Sequence, residues 1–365
     1  MARPSSSPSL DVKLPQKIIA PSFLRQSFEF VQTILLLGFR LILPDLANAL
    51  SNIGMGVKFN PATDIGPFDG KVILVTGGNA GLGKQTIINL AAHNPARIYL
   101  AARTASKAES AIKDIRSAVG PQCCDIVHLP LDLTSFASIA EAAATFTRAE
   151  SRLDILVNNA GIMACPYYTT KEGYEVQFGT NHMGHALFTK LLLPTLLNTK
   201  KEHGEARIVM LSSMGHNIPM TGGIMFDQAK LEQQLTWKRY GQSKLANLLY
   251  AQSLAEQYPD LTSVSVHPGV ILTDLYTSVN ANVLVRAGLW VYGLFFGFLP
   301  GHFKSTEGGA LTQTWAATVG REKLENGAYY TPVGVKSKGG KWARDQGLRK
   351  KLWEWTEAEL NKHGF

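Results

Sequence analysis

From residue 71 onward the chain alternates short β-branched runs with helix-length segments, and this alternation constrains the fold more than any other feature. The runs are Val72 to Thr76, Arg97 to Ala101, Asp125 to Leu131, Ile155 to Val157, Arg207 to Leu211 and Ser263 to Val266. Strands buried on both faces need no polar alternation, so near-continuous apolar runs separated by helices specify a parallel sheet covered on both sides. Its crossovers are right-handed. No internal repeat and no long linker divides the region, which makes it one domain. The expected organisation is an N-terminal extension over 1–69, an α/β domain over 70–335 and a basic C-terminal tail over 336–365.

Composition excludes a disordered chain. With 45% hydrophobic and 18% charged residues, there is ample apolar surface for a core. Three cysteines, Cys123, Cys124 and Cys165, make no disulfide framework, and no N-x-S/T acceptor occurs, which fits a reducing compartment. Cys123 and Cys124 precede a strand and are expected to be buried and inert. The net charge of +8 lies mostly at the chain ends. Lys336 to Lys362 hold eight basic and four acidic residues, and residues 1–60 hold six and three. That placement fits solvated ends, and no nucleic-acid-binding motif accompanies it, so no nucleic-acid partner is expected.

Residues 1–22 are rich in Ser and Pro and read as a flexible tail. The apolar run 30–43 would make a helix of about 21 Å against a hydrocarbon core of about 30 Å, so it does not span a bilayer by itself. Ala47-Asn48-Ala49 resembles a cleavage site, but Asp11, Glu29 and Arg40 fit a signal peptide poorly. Two readings remain for 30–43: a segment lying on a membrane, or one packed on the protein's own surface.

The first strand ends in Thr76-Gly77-Gly78-Asn79-Ala80-Gly81-Leu82-Gly83-Lys84, and a helix follows. Glycines allow a tight turn and let a pyrophosphate approach the N–H groups at the positive end of that helix, so Gly77, Asn79, Gly81, Leu82 and Gly83 are cofactor-binding candidates. The second strand runs into Arg103, twenty positions past Gly83. An acid here would bind the ribose hydroxyls of NAD, whereas arginine suits a 2′-phosphate, which favours NADP(H). Lys107 adds a second positive charge or is a surface lysine. Asp132 accepts from an adenine amino group or caps the helix that begins near Ser135.

Two Tyr-x-x-x-Lys pairs occur, Tyr167/Lys171 and Tyr240/Lys244. With 11 tyrosines in the chain, about one such pair arises by chance, so context must choose. Tyr167 follows Pro166 in a loop-like stretch. Tyr240 to Glu256 reads as a helix that places Tyr240 and Lys244 on one face, which makes the second pair the candidate.

In this order the motifs resemble the short-chain dehydrogenase/reductase family, in its retinol-dehydrogenase-like branch. The residues that carry the likeness are Thr76 to Gly83, Asn158-Asn159-Ala160-Gly161, Asn181, Ser213, Tyr240 with Lys244, and His267-Pro268-Gly269, over about residues 70–334. The resemblance implies a Rossmann-type doubly wound sheet and an NADP(H)-dependent oxidoreductase acting on a carbonyl or alcohol. It implies that Ser213 hydrogen-bonds the substrate carbonyl, that Tyr240 gives or takes the proton, and that Lys244 holds the nicotinamide ribose and favours tyrosinate. Asn181 would support a relay water or serve as a helix-kink residue. Asn159 would line the cofactor and Thr273 would reach its carboxamide.

Twenty-six residues separate Ser213 from Tyr240, a loop expected to border the substrate. Met214, Met220, Ile224, Met225 and Phe226 in it line an apolar pocket or pack locally, and His216 is expected at the surface. Residues 283–299 carry Trp290, Tyr292, Phe295, Phe296 and Phe298 with one charge, Arg286. They occupy the family's lid position, and with 30–43 they form a peripheral membrane patch or pack on the protein. Either way a lipophilic small-molecule substrate is expected, such as a retinoid, steroid or polyketide/terpenoid. The expected location is the cytoplasm, including the cytosolic face of an intracellular membrane. His182 and His185 stand three apart on a helix that packs or forms a homo-oligomer in the family, and no third ligand makes them a metal site. Two other functions stay open: a non-catalytic NADP(H)-binding scaffold and an epimerase or dehydratase. The intact triad disfavours the first, and the glycine spacing disfavours the second.

Overall fold

The computed structural model describes residues 56–218, 220–269 and 305–365. The segments 1–22, 30–43 and 283–299, the 47–49 cleavage-like site and Thr273 lie outside the described residues.

Strand β1 (Val72–Thr76) is buried along its whole length, as an unbroken apolar run in a covered sheet must be. It leads through the glycine turn into helix α1 (Gly81–Ala91). Then follow β2 (Arg97–Ala102), α2 (Ala105–Val119), β3 (Asp125–Pro130), α3 (Phe136–Ala149) and β4 (Ile155–Asn158). A π-helical turn (Gly179–Met183) opens α4 (Gly184–His203). The order continues with β5 (Arg207–Leu211), α5 (Thr236–Gln257), β6 (Thr262–Val266), α6 (Thr306–Thr318), β7 (Tyr329–Thr331), β8 (Val335–Ser337) and α7 (Gln346–Lys362).

The eight strands form one sheet in the order β3-β2-β1-β4-β5-β6-β7-β8, parallel except for β8 on β7. The fold class expected from the sequence is therefore the observed one. Its six runs are strands, with edges shifted by a residue at most. β7 and β8 are additions that three-residue runs do not announce. Successive strand residues face opposite layers: Val72 and Leu74 join one apolar cluster, and Ile73 and Val75 join the other. Strand order reverses between β1 and β4, and that switch point opens the crevice in which ligands bind in such sheets.

Residues 336–365 depart from the expected solvated tail. Leu348, Leu352, Thr356 and Leu360 repeat every four residues along α7 and are all buried. They form a stripe that packs on the domain, while Lys350, Lys351, Glu354 and Lys362 of the same helix are exposed. Trp353 stacks on Tyr250 of α5 with ring centroids 5.3 Å apart, and Lys190 of α4 pairs with Glu357 at 2.7 Å. The end of the N-terminal extension also joins the core, because Ile65 and Phe68 are buried and Val57 N–H donates to Val333 O at 2.9 Å. Among the described residues no helix is long and apolar enough to cross a membrane.

Candidate active site

The glycine turn folds back on itself so closely that side chains would block it. Gly77 has φ +66°, and a Cβ on Gly83 would collide with Gly77 O and lie 2.5 Å from Asn159 Nδ2. α1 begins at Gly81 without a side-chain cap. Its first N–H groups therefore have no side-chain cap, directly after the carboxyl end of β1, which suits them to a pyrophosphate. Arg103 is exposed just past the end of β2, and Lys107 is exposed in the first turn of α2. These residues suit a dinucleotide carrying an extra phosphate.

Asn159 braces this turn. Its Nδ2 donates to Thr76 O at 2.8 Å, and its Oδ1 accepts from Gln313 Nε2 of α6 at 3.1 Å. Asp132 Oδ1 accepts from Thr134 N (3.0 Å) and Thr134 Oγ1 (2.7 Å). It thus shapes the turn before α3, while Ser135 supplies the helix cap. Cys123 and Cys124 are only half-buried. Burial still pushes the Cys124 thiol up to about 12, which keeps it a neutral thiol.

The catalytic candidates converge at the C-terminal end of β5. Ser213 Oγ accepts from Gly215 N at 3.1 Å, which leaves its O–H free to be given to another oxygen. A Cβ on Gly215 would lie 3.0 Å from Tyr240 Cε1 and 3.4 Å from Ser213 Oγ, so the phenol ring and the serine flank one point. Tyr240 and Lys244 stand on one face of α5, are 6% and 4% exposed, and the ammonium lies 5.8 Å from the ring centroid. Lys244 Nζ donates to Leu211 O at 3.2 Å. Burial pushes this lysine down to about 8.

Asn181 sits in the π-helical turn and its amide is fully engaged. Oδ1 accepts from Ile162 N at 2.8 Å, and Nδ2 donates to Ile162 O (3.0 Å) and Ser243 Oγ (2.9 Å). It ties the loop after β4 to the catalytic helix. A Cβ on Gly161 would lie 3.2 Å from both Asn181 Oδ1 and Lys244 Nζ, so the same loop touches the cofactor turn at Asn159 and the lysine at Gly161.

Several supporting groups escaped the sequence reading because their partners are remote. His185 Nδ1 lies 2.9 Å from Asn181 O. A carbonyl only accepts, so Nδ1 carries the proton and Nε2 accepts from Thr76 Oγ1 at 2.9 Å. That hydroxyl also takes the N–H groups of Asn159 and Ala160, each at 2.9 Å. Burial holds His185 down at about 4 and His182 at about 3. His182 Nε2 instead meets Thr356 Oγ1 of α7 at 3.0 Å.

Arg239, one residue before Tyr240, is buried against Glu175, with Nε 3.2 Å from Oε1. It donates to Gln234 O and Cys165 O, each at 2.9 Å. His216, expected at the surface, is 4% exposed. In the loop before α5, Met220 and Ile224 are buried, and Phe226 packs on Trp355 at 5.4 Å. Phe226 thus joins the loop to the C-terminal helix α7.

A family model described as short chain dehydrogenase matches residues 71–284. Retinol dehydrogenase 12 of Mus musculus is 39% identical over 292 residues, covering 78% of this chain and 84% of its own. Short-chain dehydrogenase/reductase drtF of Aspergillus calidoustus is 37% identical over 311 residues, covering 80% and 94%. Among solved structures, an uncharacterized protein of Mycobacterium paratuberculosis superposes with a TM-score of 0.63 at 28% identity, covering 84% of this chain and 98% of that one.

Proposed function

The chain belongs to the short-chain dehydrogenase/reductase family, in its retinol-dehydrogenase-like branch, and from that premise we propose an NADP(H)-dependent oxidoreductase that interconverts a carbonyl and an alcohol on a lipophilic substrate. The observation that carries this reading is that Ser213 Oγ and the Tyr240 ring flank Gly215, with the Lys244 ammonium 5.8 Å from that ring, in a fold whose first helix begins uncapped after a glycine turn. The turn from Gly77 to Gly83 would hold the pyrophosphate, and Arg103 with Lys107 the 2′-phosphate. When bound, the nicotinamide supplies or takes the hydride.

The chain's own groups do the rest. In the reducing direction Ser213 donates its O–H to the substrate oxygen, which can only accept, while Gly215 N–H fixes the serine oxygen from the other side. Tyr240 protonates the same oxygen as negative charge develops there. Lys244, anchored on Leu211 O, presents a positive charge near the phenol and stabilises the tyrosinate left behind. Burial of both side chains keeps bulk water from screening that charge. In the oxidising direction the same groups run in reverse. The apolar composition of 283–299 supports a lipophilic substrate and a peripheral membrane contact made together with 30–43.

The test is consumption of NADPH and NADH in parallel against a panel of lipophilic carbonyls, among them retinaldehyde and decanal. NADPH is expected to be preferred by more than about tenfold, and Arg103→Glu to reverse the preference. A tenfold preference for NADH in the wild type would overturn the assignment of Arg103.

A further inference from the structure

His216 lies in the 3-10 turn Met214–Asn217 that starts directly after Ser213. Its Nδ1 is 2.6 Å from Ser213 O, and its backbone N–H donates to the same oxygen at 3.0 Å. The carbonyl only accepts, so Nδ1 bears the hydrogen and Nε2 is an acceptor. Nε2 takes the N–H of Gly340 at 3.2 Å, 124 residues further along. The ring also stands edge-on to Tyr329 of β7, with centroids 5.2 Å apart. Both nitrogens are therefore used, one on the backbone of the serine and one on the strap between β8 and α7.

The strap comes this close because it lacks side chains at the contact. A Cβ on Gly340 would collide with Asn217 Oδ1, and one on Gly339, where φ is +64°, would lie 2.7 Å from Ala343 Cβ. The same turn places Gly215 N–H on Ser213 Oγ. Whatever holds the turn closed therefore also sets the direction in which the serine hydroxyl points.

We propose that His216 is a positioning residue for Ser213, a neutral strut that locks the serine's turn against the C-terminal strap and so aims its hydroxyl at the substrate oxygen. This rests on the reading of Ser213 as the donor to that oxygen. The strut links a segment outside the nucleotide-binding half to the reacting centre. It also gives the strap 338–342 a role in turnover rather than in cofactor binding.

Three variants of the full chain separate aim from bulk. His216→Asn keeps a donor where Nδ1 was, His216→Gln places its amide nearer Nε2, and His216→Phe keeps the ring against Tyr329 with neither bond. With the carbonyl that the wild type turns over best, His216→Asn and His216→Gln, which each keep one of the two bonds, are expected to lose about tenfold in kcat, and His216→Phe, which keeps neither, about 100-fold, the scale of an ångström of misplacement. NADPH affinity, read from nucleotide fluorescence, should stay within about twofold in all three, and the primary isotope effect from C4-deuterated NADPH should not shrink, since alignment rather than binding is impaired.

Equal losses in Asn and Phe that follow their melting temperatures would overturn the strut, as would weakened NADPH binding. If His216→Phe fails to fold, the single-bond variants decide: a loss of about tenfold in both with NADPH affinity unchanged supports the strut, and wild-type kcat in either overturns it. Ser213→Ala in parallel tells the two ideas apart. A serine variant as active as wild type, or a wild type inactive on every carbonyl, sinks the functional reading and the strut with it. A crippled serine variant beside a fully active His216→Phe sinks the strut only.

Discussion

The chain carries the same four-residue spacing twice, and the two copies meet opposite fates. Tyr167 and Lys171 lie on a non-helical stretch, where Tyr167 packs beneath the Arg239 guanidinium at 5.6 Å and Lys171 is exposed. Tyr240 and Lys244 lie on α5, both buried, with the ammonium held over the ring side by Leu211 O. The difference lies in the backbone beneath: a helix stacks the second pair in a dry site that strengthens the field between them, and the proposed chemistry rests on that. Arg239 bridges the two regions, adjacent in sequence to one tyrosine and stacked on the other.

The contrast is broken or sharpened by substitution. Tyr240→Phe removes the phenol proposed as the proton donor, and carbonyl reduction is expected to fall by about 10²–10⁴-fold, the range of general acid catalysis. Ser213→Ala removes one donor to the developing oxyanion and should cost about 10²-fold or more in kcat. Tyr167→Phe keeps the ring beneath Arg239 and should change kcat by less than about twofold, because the attraction of a cation needs the ring face and not the hydroxyl. A loss in Tyr167→Phe comparable to that in Tyr240→Phe would erase the distinction between the two pairs.

Lys244 allows a subtler check through stability. It titrates at about 8 when folded against 10.5 otherwise, so between those values the unfolded chain holds more protons. Stability is therefore gained as pH rises through that window, and the cost of burying the charge is felt fully below pH 8. The melting temperature of wild type minus that of Lys244→Met should move in favour of wild type from pH 8 to pH 10. A flat difference would mean that the ammonium is not desolvated.

What could be read in the sequence was what local pattern encodes. The turn from Gly77 to Gly83 and the helix from Tyr240 declare themselves through glycine spacing and period, and the structure has that turn between β1 and α1 and that helix in α5. The strut on His216 was not legible, because its second partner is 124 residues away, and neither was Arg239 with Glu175, which is 64 residues before it in the chain. α7 is the instructive case. Its leucines at 348, 352 and 360 make an apolar helix stripe that the net charge of 336–362 does not reveal. Asn159 shows the converse: the motif located it, while its bonds to Thr76 and Gln313 make it a brace between β1, β4 and α6, which residue type alone does not specify.

The central claim is that the phenol of Tyr240, steered by Lys244 and Ser213, exchanges the proton with the substrate oxygen. Its most direct test is a single-turnover record of NADPH fluorescence after mixing wild type and Tyr240→Phe with the same lipophilic carbonyl, at saturating and equal nucleotide occupancy. The account predicts a fast decay in wild type and one slower by about 10²-fold or more in the variant, with the nucleotide equally bound in both. Matching decays would contradict it.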